Sequence, residues 1–254
     1  MKFKFSSMRR GVLAVGSALM LGLAISACNK DHNNDDVNVP LAGVMAFNLA
    51  PDVSNAGVAL SGNNLGSSLP FGSYTGGYLG VYPGDRPVES YNAASGGRLA
   101  SGSYNFEDSA YYSIFVVGAN SNYRNVIVED KFDELSSSTG QAYIRYINAI
   151  ADSSHPTVSI TSGGSSVVND NAAFASVSEF KAVNAGDVTI DVSNGGNIDA
   201  DRTITLESRK VYTVLISGVP GSTGADNVQI KYITNGQLDE TAARQSSASA
   251  RSAN

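Results

Sequence analysis

Apolar residues fall into two regimes along this chain. Gly11–Ala27 is one uncharged apolar run, and it follows a basic start carrying Lys2, Lys4, Arg9 and Arg10. After it, apolar positions recur with a period of two in short bursts separated by Gly, Asn and Ser, which is the pattern of β-strands joined by turns. Tyr112, Ile114 and Val116 are matched one hundred residues later by Tyr212, Val214 and Ile216, so that face is expected to be buried. The alternate positions, Ser113/Thr213 and Val117/Ser217, are mixed and read as a solvent-facing side. Thr203–Leu206 followed by Glu207–Lys210 reads as strand and turn of a hairpin. Further strands are expected over 142–148, 157–160, 165–169, 177–183, 187–192 and 228–233. No helical period is sustained beyond the leader.

The bursts repeat. Shifted by one hundred residues, Ala42–Asn48 falls on Ala142–Asn148, Asp52 on Asp152, Val58 on Val158, Glu107 on Glu207 and Gly118 on Gly218. Phe71 meets Phe174 after a slip of three, and Val126–Val128 meets Val228–Ile230 after a slip of two. Such self-similarity marks a duplicated module. The expected organisation is a leader over 1–27, a polar tether over 28–41, modules over 42–135 and 142–238, a linker over 136–141 and a tail over 239–254. Each module has the length of a small domain. The fold class expected is all-β, two tandem antiparallel sandwiches, and residues 142–238 alone are expected to fold as one unit.

The opening pattern of module two, Tyr143-Ile144-Arg145-Tyr146-Ile147-Asn148-Ala149 followed by Ala151-Asp152-Ser153, resembles a family of domains of unknown function numbered 4397. Val183-Asn184-Ala185-Gly186, Thr203–Lys210, Tyr212-Thr213-Val214 and the crossover from Val128-Glu129-Asp130 through Gly140-Gln141-Ala142 carry the same resemblance. It covers nearly all of 42–238 and is closer for module two. The resemblance implies an immunoglobulin-like β-sandwich, often duplicated, on exported bacterial proteins, and it brings no catalytic residues.

Composition and charge narrow the setting. The leader has the layout of a secretory signal peptide and is shorter than the roughly 20 apolar residues of a membrane span. Its end, Ile25-Ser26-Ala27-Cys28, resembles a bacterial lipobox, and Cys28 is the chain's single cysteine. Lipidation of Cys28 is therefore expected, placing the protein at the outer membrane or cell surface through its acyl chains. Without the leader, 13 basic and 23 acidic residues remain, a formal charge of −10. That sign speaks against nucleic acid as a partner, since such binding rests on basic contacts to phosphate.

Candidate chemistry is sparse. His32 lies in the tether and His155 in a loop whose counterpart is Asn55, with no Gly-x-Ser-x-Gly elbow to build a triad on. Glu107 and Glu207 are weak acid candidates, so a hydrolase lacks paired groups. The oxygen-rich stretch Asp191–Asp201 matches no EF-hand spacing and reads as a turn. No metal or cofactor is expected. Eight of the 12 tyrosines lie in module one, and Tyr74, Tyr78 and Tyr82, set among glycines, are the candidate ligand contacts. The expected role is a non-catalytic interaction or structural module of the cell envelope, with an envelope protein as partner. A glycan-binding lipoprotein working beside a transporter is the alternative.

Overall fold

The computed structural model describes residues 39–152 and 154–239. The leader, Cys28, nearly all of the tether and the tail from 240 on lie outside the described residues. Module one contains β1 (Ala42–Asn48), β2 (Asn55–Leu60), β3 (Asn63–Asn64), β4 (Leu69–Pro70), β5 (Ser73–Tyr74), β6 (Leu79–Val81), β7 (Gly84–Asn92), β8 (Arg98–Phe106), β9 (Tyr111–Ala119) and β10 (Asn122–Glu129). Module two contains β11 (Gln141–Asn148), β12 (Thr157–Ser162), β13 (Ser165–Asn171), β14 (Lys181–Asn184), β15 (Gly186–Ser193), β16 (Asp199–Leu206), β17 (Lys210–Ser217) and β18 (Gln229–Gln237). Each module is a two-sheet sandwich. Module one pairs an inner sheet, β10-β9-β1 edged by β5 and β6, with an outer sheet ordered β3-β2-β7-β8 and β4 at its edge. Module two pairs an inner sheet, β14-β11-β17-β18, with an outer sheet, β13-β12-β15-β16.

Pairing is antiparallel with one exception in each module. β1 runs parallel to β9, and β11 parallel to β17. The register is the same in both copies, Val44 opposite Tyr112 and Ile144 opposite Tyr212. The stretch Thr203–Lys210 departs from the hairpin expected for it. β16 pairs with β15 in the outer sheet, whereas β17 lies in the inner sheet, so Glu207–Arg209 carries the chain from one layer to the other. There the Tyr212 hydroxyl accepts a hydrogen bond from the Glu207 N–H at 2.9 Å, and Tyr112 does the same for Glu107. A tyrosine reaching back to the backbone at a sheet-crossing corner is a feature of immunoglobulin-type sandwiches.

Asn48 and Asn148 close the first strand of each copy. Both are fully buried. The Asn148 amide donates to the carbonyls of Ala172 and Ala173 and its oxygen accepts from the Ile150 N–H. Asn48 makes the same set with Val53, Leu69 and Ala50. Removing such a side chain strands several buried backbone groups, each costing about 1–3 kcal/mol. Asn148→Ala should therefore lower stability by about 3 kcal/mol, readable as a shift of the urea midpoint at unchanged slope.

Three large apolar cores, beside a small cluster of Ala50, Val53 and Ala56, follow from this layering among the described residues. Val44, Val58, Val88, Phe106 and Ile114 belong to the core of module one. Ile144, Ile160, Ile190, Ile204 and Val214 belong to that of module two. The third lies between the modules and takes seven buried residues from each, including Met45, Phe47, Phe115 and Val117 on one side and Tyr143, Ile147, Val211 and Leu215 on the other. The two inner sheets thus pack face to face, and the described chain from Pro40 on is one compact unit. This corrects the expectation for the alternate positions. Ser113, Thr213, Ser217 and Val117 are all fully buried, because the face read as solvent-exposed is covered by the other copy. The contact is reciprocal at its margins: Lys231 of module two sits 5.9 Å from the ring of Phe71, and Arg124 of module one 4.9 Å from that of Phe174.

Candidate functional site

Tyr78, one of the three tyrosines singled out in the sequence, lies in the shared core and is only 8% exposed. Its hydroxyl donates to Asp130 Oδ2 at 2.5 Å and accepts from the Asn235 amide at 3.1 Å. Asp130, just beyond β10, also accepts from Ser113 at 2.8 Å and pairs with the Arg145 guanidinium at 2.5 Å. Arg145 donates further to Ser113 and to Thr213, each at 3.0 Å, and Thr213 donates to Asn235 at 2.6 Å. The guanidinium lies 4.3 Å from the ring centre of Phe180. Three side chains from each module thus form one buried polar network.

The location governs the chemistry. Burial drives the Tyr78 hydroxyl well above the usual tyrosine range, and the Asp130 carboxylate adds to this. Burial also raises the Asp130 carboxyl, against the pull of Arg145, Tyr78 and Ser113, which favour its charged form. A buried ion pair of this kind is near break-even against an apolar packing of the same volume, but costly to break on one side. It joins side chains of both modules across the shared core. Copy one has Met45 where copy two has Arg145, so the network is particular to this arrangement and not to the sandwich.

The structure separates the three candidate tyrosines. Tyr74 stacks on its cross-strand partner Phe47, with ring centres 5.6 Å apart, and is half-buried. Tyr78 is buried with its hydroxyl taken up by Asp130 and Asn235, so it is removed from the candidate contacts: its ring neighbours are Tyr111 and Phe132. Tyr82 is 63% exposed and lines an open cleft of about 280 Å³ with Leu60, Asn63, Asn64, Leu65 and Arg86. His155 is an exposed loop residue with φ of 52°. Asp199 and Asp201 are exposed on β16 opposite Ser193 and Asp191. Among the described residues no three His, Cys, Asp or Glu side chains converge on a point.

Sequence reasoning missed the Asp130–Arg145 pair. The signal was present in Arg145, a charge inside the otherwise apolar run Ala142–Ile147, and in Phe115 and Leu215, large residues on the face assigned to solvent. A strand apolar on both faces is a strand buried on both faces.

No curated protein matches this chain. Among solved structures, CBMbc of family CBM26 from Eubacterium rectale Amy13K, in complex with maltoheptaose, is 9% identical over 79% of this chain and 99% of its own, with a TM-score of 0.23. A putative cell adhesion protein from Bacteroides eggerthii is 11% identical over 78% and 96%, with a TM-score of 0.26. The fimbrial anchor protein Mfa2 from Porphyromonas gingivalis is 7% identical over 78% and 100%, with a TM-score of 0.20. Likeness at these scores carries no argument. The repeat, in contrast, is matched directly: residues 42–161 and 142–252 both fit the model described as Domain of unknown function (DUF4397), and the chain belongs to that family.

Proposed function

We propose that this chain is a non-catalytic, lipid-anchored protein of the cell envelope that serves as an interaction or structural module. The observation that carries the reading is the face-to-face docking of the two inner sheets around the Asp130–Arg145 network. It turns two sandwiches into one stiff body, and leaves the two outer sheets and the end loops as the surfaces a partner can reach. Loops and faces held by a rigid scaffold are where binding residues concentrate. The acyl chains on Cys28, directly after the leader, supply the anchor, and the tether after it the spacing from the membrane.

Two experiments test this. Cys28→Ser should move the protein from the detergent phase to the soluble periplasmic fraction, and continued partitioning into detergent would overturn the anchor. On intact cells, a photo-crosslinking residue at Tyr82, in the turn between β6 and β7, or at Thr203 on the outer sheet of module two, should give discrete adducts with envelope components. An absence of adducts from both faces would leave the protein as a spacer and remove the interaction role.

A further inference from the structure

The outer sheet of module one carries a feature that module two lacks. Gly57 on β2 and Tyr91 on β7 are cross-strand partners on the outward face. A methyl group at Gly57 would overlap Cζ, Cε2 and the hydroxyl of Tyr91, so the tyrosine ring lies directly on the β2 backbone. Its hydroxyl donates to Asn64 Oδ1 at 2.9 Å, fixing the ring from its far end. The β7–β8 register shifts at this position, between Ser90 and Tyr91, leaving Leu99 as an extra residue. Bulges of this kind re-aim side chains, and a strand glycine often marks a close approach of another group. The outcome is a flat aromatic surface, half-buried, with one face on the sheet and the other toward solvent.

Polar groups of mixed character surround the ring. Arg98, the β8 partner of Tyr91, pairs with Glu89 at 3.7 Å, and both side chains are well exposed. Asn64 is shared, because it also walls the cleft that holds Tyr82. Arg86 steadies that end by donating to the carbonyls of Tyr82 and Pro83 at 3.1 and 2.9 Å. Two solvent-facing tyrosines therefore flank one amide-lined cleft.

Comparison of the copies shows that the sandwich does not need this arrangement. The equivalent pair in module two is Thr157 opposite Ser193, with Asn169 in the place of Asn64. A glycine inside a strand weakens it by roughly 0.5–1 kcal/mol, and here the glycine makes room for the ring alone. A ring lying flush with a sheet can stack only a flat partner: a sugar, a nucleobase or another aromatic. The acidic surface and the carboxylate of Glu89 disfavour phosphate-bearing partners. A carboxylate, a guanidinium and an amide around an aromatic face suit a neutral ring edged with hydroxyls, which needs donors and acceptors together.

We infer that the outer sheet of module one is a saccharide site, with a pyranose ring stacked on Tyr91 and the rest of the glycan entering the cleft beside Asn64 and Tyr82. Glu89, Arg98 and Asn64 address the sugar hydroxyls. The inference rests on the binding-module reading above and names its ligand class.

The test uses the full chain made soluble by Cys28→Ser, titrated with malto-, cello-, xylo- and chito-hexaose and with soluble peptidoglycan fragments. One of these classes should bind saturably. The double substitution Gly57→Thr with Tyr91→Ser installs the pair that module two already folds with, so it should leave the urea midpoint in place and weaken binding about tenfold or more, equivalent to at least ~1.4 kcal/mol. Tyr91→Phe, which keeps the ring, should bind within about threefold of the parent, or ~0.7 kcal/mol. Tyr82→Ala should weaken the hexasaccharide that binds more than the disaccharide of the same sugar, titrated alongside it. Binding by none of the probes, or binding untouched by the double substitution, overturns the sugar site. Envelope adducts from intact cells that persist in the double variant would then show that the interaction role stands without it.

Discussion

Arg145→Met should lower the free energy of unfolding by about 3–5 kcal/mol, the range for breaking one side of a buried ion pair. Methionine is the residue that copy one carries at the matching position, so volume and apolar character suit the site. The loss comes from Asp130, left fully buried with only Tyr78 and Ser113 to hold its charge. Adding Asp130→Asn removes that charge while keeping an acceptor for both hydroxyls, and should restore most of the stability. A double variant as unstable as the single one would show that the loss is one of packing. The dependence on pH has a definite sign. Burial already raises the Asp130 carboxyl, and removing Arg145 raises it further. The folded variant then holds the proton more tightly than the unfolded chain, whose aspartate titrates near ~3.9. Its stability is greatest below that pH and falls as pH rises toward the folded value. The deficit relative to the parent should accordingly narrow on acidification, as urea titrations from neutral pH down to about pH 4 would record.

Residues 142–238 expressed alone should fold around their own core but fail to remain monomeric. That core, from Ile144 to Ile230, is complete within the module. The outward face of its inner sheet is not: Tyr143, Ile147, Val211, Leu215 and Ile233 would meet water, and Arg145 would lose Asp130. Full burial of side chains of this size contributes about 1.5–3 kcal/mol each, and an exposed patch of several of them promotes association. Light scattering should show dimers or larger species, with a melting temperature that rises with protein concentration. A monomeric fragment as stable as the full chain would mean that the shared core contributes nothing.

Most strands, the duplication and the slip of three were legible because they depend on local period and spacing, although the strand expected over 177–183 is confined to Lys181–Asn184, with Val177 making only an isolated bridge to Ile147. The N–H groups of Gly72 and Ala175 bond to Asn48 and Asn148 at 2.8 and 2.7 Å, and both residues hold the left-handed backbone. That slip therefore has a structural cause in the loop that follows the first strand. The docking of the modules was less legible. Ser113 and Thr213 are small and polar, which suits a wet surface and a satisfied buried network equally, and only their partners distinguish the two. The hairpin assigned to Thr203–Lys210 failed for a related reason. A tight polar turn between two strands looks the same whether the chain returns to its own sheet or crosses to the other. The platform at Tyr91 escaped because Gly57 lies 34 positions away in the sequence, and nothing local ties a strand glycine to a distant ring.

The margins of the shared core have a consequence for how such a chain is assembled. Each copy offers a phenylalanine and receives a cation from the other, Phe71 with Lys231 and Phe174 with Arg124. Seven apolar residues come from either side. A surface that matches its own duplicate is the isologous form of a two-fold homodimer, here carried on one polypeptide. The linker residues 136–140, beyond Asp130 and Phe132, therefore act as a leash. They hold the halves at a millimolar effective concentration, which makes pairing within a chain outcompete pairing between chains. A nick in that leash would leave the halves associated. A much shorter one would invite two molecules to exchange modules.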